Sequence, residues 1–474
     1  MLFPTLTFIF GFLPLTLVLF FLLAAKNHKL SRCFLIVASF VFYSWFNWSY
    51  AFILAGSLLM NWFFASLLYR KSSKITLTIG ILCNVLLLGY FKYYDFFVGN
   101  INVLFGTSFV LKHILLPLGI SFFTFQQISF LQLVYSGSLA KRYSFETYAL
   151  FVSFFPQLIA GPIVLPDEMM SQFDKKECFR PQYRNIAAGL YVFALGMAKK
   201  ILLADYFAEI ADPGFVNAAG NFFAGWKTAL AYTFQIYFDF SGYCDMAMGI
   251  GKWFNIDLPL NFNSPYKSAD FQSFWRRWHI TLGRFMMNYL YIPLGGNKKG
   301  MGRTLCNLFV VFVLSGIWHG AGWLFLIWGG LHGAGILINR FWRKAVLVRW
   351  PGIEIPRIPA VILTFLTVNL LWVFFRAATL KRAWEIIESM FDFSHIAWIT
   401  KSFRQGIEEF GFECGSVFAV CFFAALLTFV APNSFEMDQR LDSRPRLRMF
   451  LTVLFAVCGF LCVGRVSPFL YFNF

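Results

Sequence analysis

The chain has 474 residues, 59% of them hydrophobic and 21% aromatic with only 13% charged, and its mean hydropathy is +0.64. Soluble domains carry roughly a quarter charged residues, so this composition excludes an ordinary soluble protein and predicts an all-α, polytopic membrane protein. The formal net charge of +17 does not point to nucleic acid, because the basic residues lie in short stretches between apolar runs and no basic domain stands apart.

The first apolar run, Leu2–Ala25, lacks a basic leader and a small-residue cleavage site and reads as a retained span. At about 20 apolar residues per crossing, spans are expected at 3–25, 33–48, 50–69, 75–93, 114–136 and 145–165. The clusters Lys26/Lys29/Arg32, Arg70/Lys71/Lys74 and Lys141/Arg142 fall between alternate spans. The positive-inside rule places them in the cytoplasm, with the N-terminus outside.

Beyond Pro166 the chain is polar over Asp167–Arg184, then apolar at 185–203 and 223–249. Two full crossings there would put the basic segment 252–303 outside, against the same rule. The conflict predicts re-entrant or interfacial central helices. Broken backbone at membrane depth is tolerated only where protein buries it or water lines it, so a cavity or tunnel is expected in the middle of the chain. Further spans are expected at 304–318, 323–341, 359–377, 413–431 and 449–465. Between them, Lys381–Glu413 carries Glu385, Glu388, Glu408 and Glu409 and reads as an extracytoplasmic loop with a surface helix. The total is about 11–13 crossings with parity open. No repeat or linker divides the chain, so 1–474 reads as one membrane domain: N-terminal spans at 1–165, a core at 166–341 and C-terminal spans at 342–474.

The stretch Asn261–Trp323 carries the chemistry-bearing residues. His319 follows the apolar run Leu308–Trp318, in which Ser315 is the one clearly polar side chain. An ionisable group at membrane depth is costly and marks a candidate functional site. A neutral imidazole there can take a proton from an attacking hydroxyl, and the glycines Gly316, Gly320 and Gly322 allow close backbone approach and a helix break. The alternative is a histidine bonded across helices for packing alone. His279, in FWRRWHITL, reads as part of an interfacial helix. Two readings stand for that segment: a headgroup-level anchor of Trp275, Trp278 and arginine, or a cytoplasmic mouth where Arg276 and Arg277, with Lys298 and Lys299, meet the phosphates of an anionic cofactor. His332, among glycines in WGGLHGAG, reads as packing. His28, His113 and His395 fall in loops or at span ends.

Asp239 and Asp245 stand in the apolar run Ile236–Gly251 and read as paired structural ions, with Lys199/Lys200 or Arg276/Arg277 as partners, or as part of a proton path. Six residues apart, they lie about 240° apart on an ideal helix and form no one-faced catalytic pair. Ser241 has no nucleophile elbow around it. Neither a Walker A sequence nor GxGxxG occurs. The nine cysteines show no CxxC pair and no metal spacing, so neither a metal site nor a disulfide framework is expected.

Taken together and in order, LPLGISFFTFQQISF (Leu116–Phe130), FFPQLIAGPI (Phe154–Ile163), YFDFSGYCDMAMG, NFNSPY, FWRRWHITL, YLYIPLGGN, GIWHGAGW and the final PFLYFNF resemble the membrane-bound O-acyltransferase family. Within it they resemble the bacterial branch of alginate O-acetylase and the peptidoglycan O-acetyltransferase membrane subunit more than the teichoic-acid D-alanyl transferases. The resemblance implies a multi-pass protein of the bacterial cytoplasmic (inner) membrane and an acetyl-CoA donor on the cytoplasmic side, with no permanently bound cofactor. It also implies a tunnel, a family histidine carried over to His319, and a second active-site polar position matched by His279. It further implies a separate extracytoplasmic partner of the SGNH esterase-like type that passes acetyl to an exported polysaccharide. The alternative of a different class is a transporter or flippase of a lipid-linked or anionic solute. Such proteins show repeats with matched broken helices, and this chain shows neither.

Overall fold

The computed structural model describes residues 1–217, 220–346, 349–350, 355–394, 403–465 and 467–470, with backbone alone at 346, 403–415 and 465. His395 and the last four residues of PFLYFNF lie outside the described residues, as do the side chains of Glu408 and Glu409. Among the described residues every regular element is helical. Among the described residues seven helices are long and apolar enough to cross a membrane, or eight if the bent pair Ser416–Phe429 and Ser434–Leu441 counts as one span.

Hydropathy located most of these helices. The spans expected at 3–25, 50–69, 304–318, 323–341 and 359–377 are the helices Thr7–Lys26, Ser49–Arg70, Gly300–His319, Trp323–Ala345 and Arg357–Arg376. The stretches at 33–48, 114–136 and 449–465 form helices of 17 residues each, His28–Ser44, Ile120–Ser136 and Pro445–Leu461. At 1.5 Å per residue each is about 26 Å long, slightly under the hydrocarbon thickness. The stretch 145–165 is not one helix. It breaks into Phe145–Ser153 and Phe155–Leu158, because Phe154 leaves the helical region (ψ 107°) just before Pro156, a residue that can begin a helix but not continue one. The surface helix expected near 381 is present as Leu380–Met390.

The basic central segment is built from short pieces, Pro265–Lys267, Phe271–Trp275, Ile280–Met286 and Met287–Tyr291. None is long enough to cross, and of the two flanking stretches Tyr183–Val216 is a candidate span while Phe222–Trp253 is not.

The chain groups into two compact units. The first comprises Met1–Met197, Tyr243–Leu260 and Asp438–Asn473. It holds a buried amide cluster: Asn84 Nδ2 donates to Asn61 Oδ1 (2.7 Å), Asn61 Nδ2 donates to Asn84 Oδ1 (3.1 Å) and to Gln127 Oε1, and Ser57 Oγ donates to Gln127 Oε1 (2.9 Å). Amides deep in apolar helices are costly unless they satisfy one another, and this cluster ties Ser49–Arg70, Lys74–Leu88 and Ile120–Ser136 together.

The second unit comprises Ala198–Gly242 and Asn261–Met437. Its own buried polar centre is ionic. Lys200 Nζ lies 2.7 Å from Asp205 and 2.6 Å from Asp239, with all three side chains at most 3% exposed. Asp239 is thus a paired ion, as its place in an apolar run implied, with Lys200 and not the arginines as its partner. Asn369 Nδ2 donates to Ala229 O (3.0 Å) and Thr233 Oγ1 (2.6 Å), which fixes Arg357–Arg376 against Phe222–Trp253.

Candidate active site

His319 is the last residue of Gly300–His319 and is buried. Two glycines set its position. A Cβ on Gly316 would meet Phe325 O at 2.2 Å, and one on Gly329 would meet Phe312 O at 2.5 Å. Only side-chain-free positions permit the contact between Gly300–His319 and Trp323–Phe341, and three residues, Gly320–Gly322, join the two helices. The His319 ring is enclosed by aromatic edges: Trp328 at 5.2 Å, Phe375 at 5.3 Å and Trp318 at 4.9 Å between centroids.

His279 departs from the interfacial helix read from its sequence. It sits at the break between Phe271–Trp275 and Ile280–Met286 with φ 47°, and it is 1% exposed. Trp278 is equally buried, so it packs in protein and does not sit at headgroup level. The left-handed backbone at His279 is uncommon for a residue with a Cβ, and Asn261 surrounds it with bonds. Ile280 N donates to Asn261 O (2.9 Å), while Asn261 Oδ1 accepts from Thr281 N (3.3 Å) and Thr281 Oγ1 (2.9 Å). The same Oδ1 lies 3.1 Å from His279 Nδ1. An amide oxygen only accepts, so Nδ1 carries the proton, and in the neutral ring the lone pair resides on Nε2.

The two histidine rings are 6.4 Å apart. His279 also lines a cavity of about 380 Å³ within this unit, together with Trp275, Arg276, Arg284, Ser315 and Arg340. Ser315 lies one helical turn before His319, on the same face. Of the four basic residues expected at an anionic cofactor, Arg276 lines the cavity. Arg277 is not on its wall, and its carbonyl accepts from Asn263 N at 2.9 Å. Lys298 and Lys299 are exposed and off the wall. Arg284 and Arg340, which the sequence did not single out, bring the guanidinium groups on the wall to three.

His332 takes the packing place expected of it. Its Nδ1 accepts from Trp275 Nε1 at 3.2 Å, and its ring meets Trp328 at 4.8 Å. Asn261 was missed as a site residue, although it opens the NFNSPY motif. Its signal would have been a buried acceptor 18 residues from a histidine, a spacing that only the folded turn makes meaningful. Asp205 was missed because one carboxylate near a helix end is unremarkable until Lys200 and Asp239 are seen beside it.

Residues 40–380 match MBOAT, the membrane-bound O-acyltransferase family. The chain is 41% identical to the peptidoglycan O-acetyltransferase of Helicobacter pylori, over 100% of this chain and 98% of that one. It is 38% identical to the probable alginate O-acetylase AlgI of Pseudomonas aeruginosa, over 83% of this chain and 75% of that one. Similarity also extends, at 28% identity, to the teichoic acid D-alanyltransferase of Streptococcus thermophilus, over 54% of this chain and 68% of that one. With a family match across most of its length, two buried histidines side by side and an arginine-lined cavity, the chain belongs to the membrane-bound O-acyltransferase family and is a multi-pass O-acyltransferase.

Proposed function

We propose that the protein, in a bacterial inner membrane, moves an acetyl group from cytoplasmic acetyl-CoA across the bilayer for O-acetylation of an exported polysaccharide of the peptidoglycan or alginate type. A separate extracytoplasmic partner of SGNH type completes the transfer. The observation that carries this reading is the proximity of His319 to His279, 6.4 Å ring to ring, with His279 on the wall of a cavity that three arginines also line. Arginine pairs with phosphate in bidentate fashion, which suits the phosphates of a coenzyme A donor.

In the proposed reaction a hydroxyl, of the polysaccharide or of the partner's serine, gives its proton to His319 as its oxygen attacks the thioester carbonyl. The C–S bond breaks, and the thiolate takes the proton back from the imidazolium to leave as free thiol. His279, oriented by Asn261, acts as the neighbouring polar group. Purified protein in vesicles with labelled acetyl-CoA, supplemented with extract supplying partner and acceptor, should release free thiol and transfer label. Absence of both would favour solute transport without acyl chemistry.

A further inference from the structure

A second concavity lies entirely within the first unit, remote in sequence from the histidine pair. It is a groove of about 860 Å³ along the first long helix, from Ile9 through Leu13, Leu17 and Phe21 to Ala25, with Leu190 and Trp253 on its other wall. From Ile9 to Ala25 the helix rises about 24 Å, more than the depth of one leaflet, about half of a 30 Å hydrocarbon layer. Its walls are apolar along this length and polar at one end only, where His28 and Arg180 line it.

That polar end is a built structure. The His28 ring stacks on Phe179 at 4.1 Å and 6°. The strand of backbone carrying Arg180 is clamped by Asn255, whose Nδ2 donates to Arg180 O (2.8 Å) and Glu177 O (3.2 Å) and whose Oδ1 accepts from Asn185 (2.9 Å). Asn255 adopts φ 58° to do this, a conformation asparagine tolerates better than most residues. The far wall is fixed by Trp253 Nε1, which donates to Ile186 O at 3.1 Å. Arg180 is exposed and enters no ion pair among the described residues. Lys26 and Lys29, both exposed, flank His28 in sequence, and the positive-inside rule puts this end at the cytoplasmic face, where anionic lipids concentrate.

We propose that this groove is a binding site for an anionic phospholipid, with one acyl chain along Ile9–Ala25 and the headgroup phosphate held by Arg180 and His28. An apolar furrow alone would accept any lipid chain. The unpaired guanidinium, held by a clamped backbone at the end of a chain-length groove, is what selects the negative headgroup. The site is independent of the acyl-transfer reading, since no residue of the histidine pair or its cavity takes part.

The test is native mass spectrometry of the protein released from vesicles of equal phosphatidylglycerol and phosphatidylcholine. Wild type should retain phosphatidylglycerol in preference, and Arg180→Gln should lower that preference about fivefold, the weight of one basic residue at an anionic surface. Arg180→Lys should restore most of it, and Ala25→Trp, which fills the groove, should remove the bound lipid while melting at an unchanged temperature. Equal retention of both lipids by wild type, an unchanged preference in Arg180→Gln, or undiminished lipid in Ala25→Trp would each overturn the proposal. If Arg180→Gln fails to fold, Arg180→Lys and Ala25→Trp still decide it.

Discussion

Asn261 Oδ1 sits 3.1 Å from His279 Nδ1 and so dictates which nitrogen of that ring carries the proton. Replacing Asn261 with leucine removes the acceptor and frees the ring to rotate or change tautomer. We expect transfer to fall by at least about tenfold, a fraction of the 10²–10⁴ that acid–base groups typically contribute. Asn261→Asp keeps an acceptor oxygen at the same reach and should retain most activity. A carboxylate beside the ring favours the imidazolium, so Asn261→Asp should move the pH profile of kcat/KM to higher pH and Asn261→Leu should not, a split that would separate positioning from loss of packing. Equal damage in both variants would count against the tautomer argument.

His319→Ala should lose at least about a hundredfold in transfer if the imidazole is the proton acceptor, with the protein still inserted and folded. His279→Ala should also impair transfer. His332→Ala should act mainly on stability, because it leaves Trp275 Nε1 without its acceptor. Near-normal transfer by His319→Ala at wild-type expression would move the chemistry elsewhere.

The arginines separate by position. Arg276 lines the cavity and Arg277 does not, so Arg276→Gln should raise the apparent KM for the donor while Arg277→Gln leaves it nearly unchanged. Charge contacts open to solvent weaken with salt. The wild-type donor KM should therefore rise with ionic strength more steeply than that of Arg276→Gln. Matching KM values in the two single variants would argue that phosphate is not held at this wall.

Lys200→Met leaves Asp205 and Asp239 buried without the ammonium that lies 2.7 and 2.6 Å from them. Breaking a buried ion pair by removing one partner typically costs about 3–5 kcal/mol, whereas replacing all its members with apolar groups is often neutral. The single variant should lose folded protein in a thermal-melt assay, and the triple Lys200→Met/Asp205→Leu/Asp239→Leu should recover much of it. A triple variant no better than the single would show that these carboxylates have further work to do.

Hydropathy alone placed most of the helices because a span must be apolar for some 20 residues whatever it packs against. It placed them least well where local backbone chemistry intervened, as at Phe154–Pro156. The histidine at the end of Gly300–His319 was legible because an ionisable side chain after an apolar run is rare for energetic reasons. The position of His279 was not legible: FWRRWHITL has the composition of an interfacial helix, and only the bonds from the Asn261 turn reveal a buried kink. The arginine wall was half visible. Arg276 stands in a basic cluster that draws the eye, but Arg284 is an isolated charge and Arg340 lies at the end of a distant helix, and only tertiary packing brings them to one cavity. How the segments group by contact lies beyond what a linear scan can address.

Ser315 shares a wall with His279 and a helix face with His319, which makes it a natural reporter of what fills the cavity. A thiol installed there by Ser315→Cys would be shielded from a small alkylating reagent whenever donor is bound and open to it when the cavity is empty. The rate of its modification, followed as donor is added, would give the donor's occupancy of the cavity without any turnover being measured. It would read occupancy even in a His319→Ala protein that has lost its chemistry, and so would separate an enzyme that cannot react from one that cannot load.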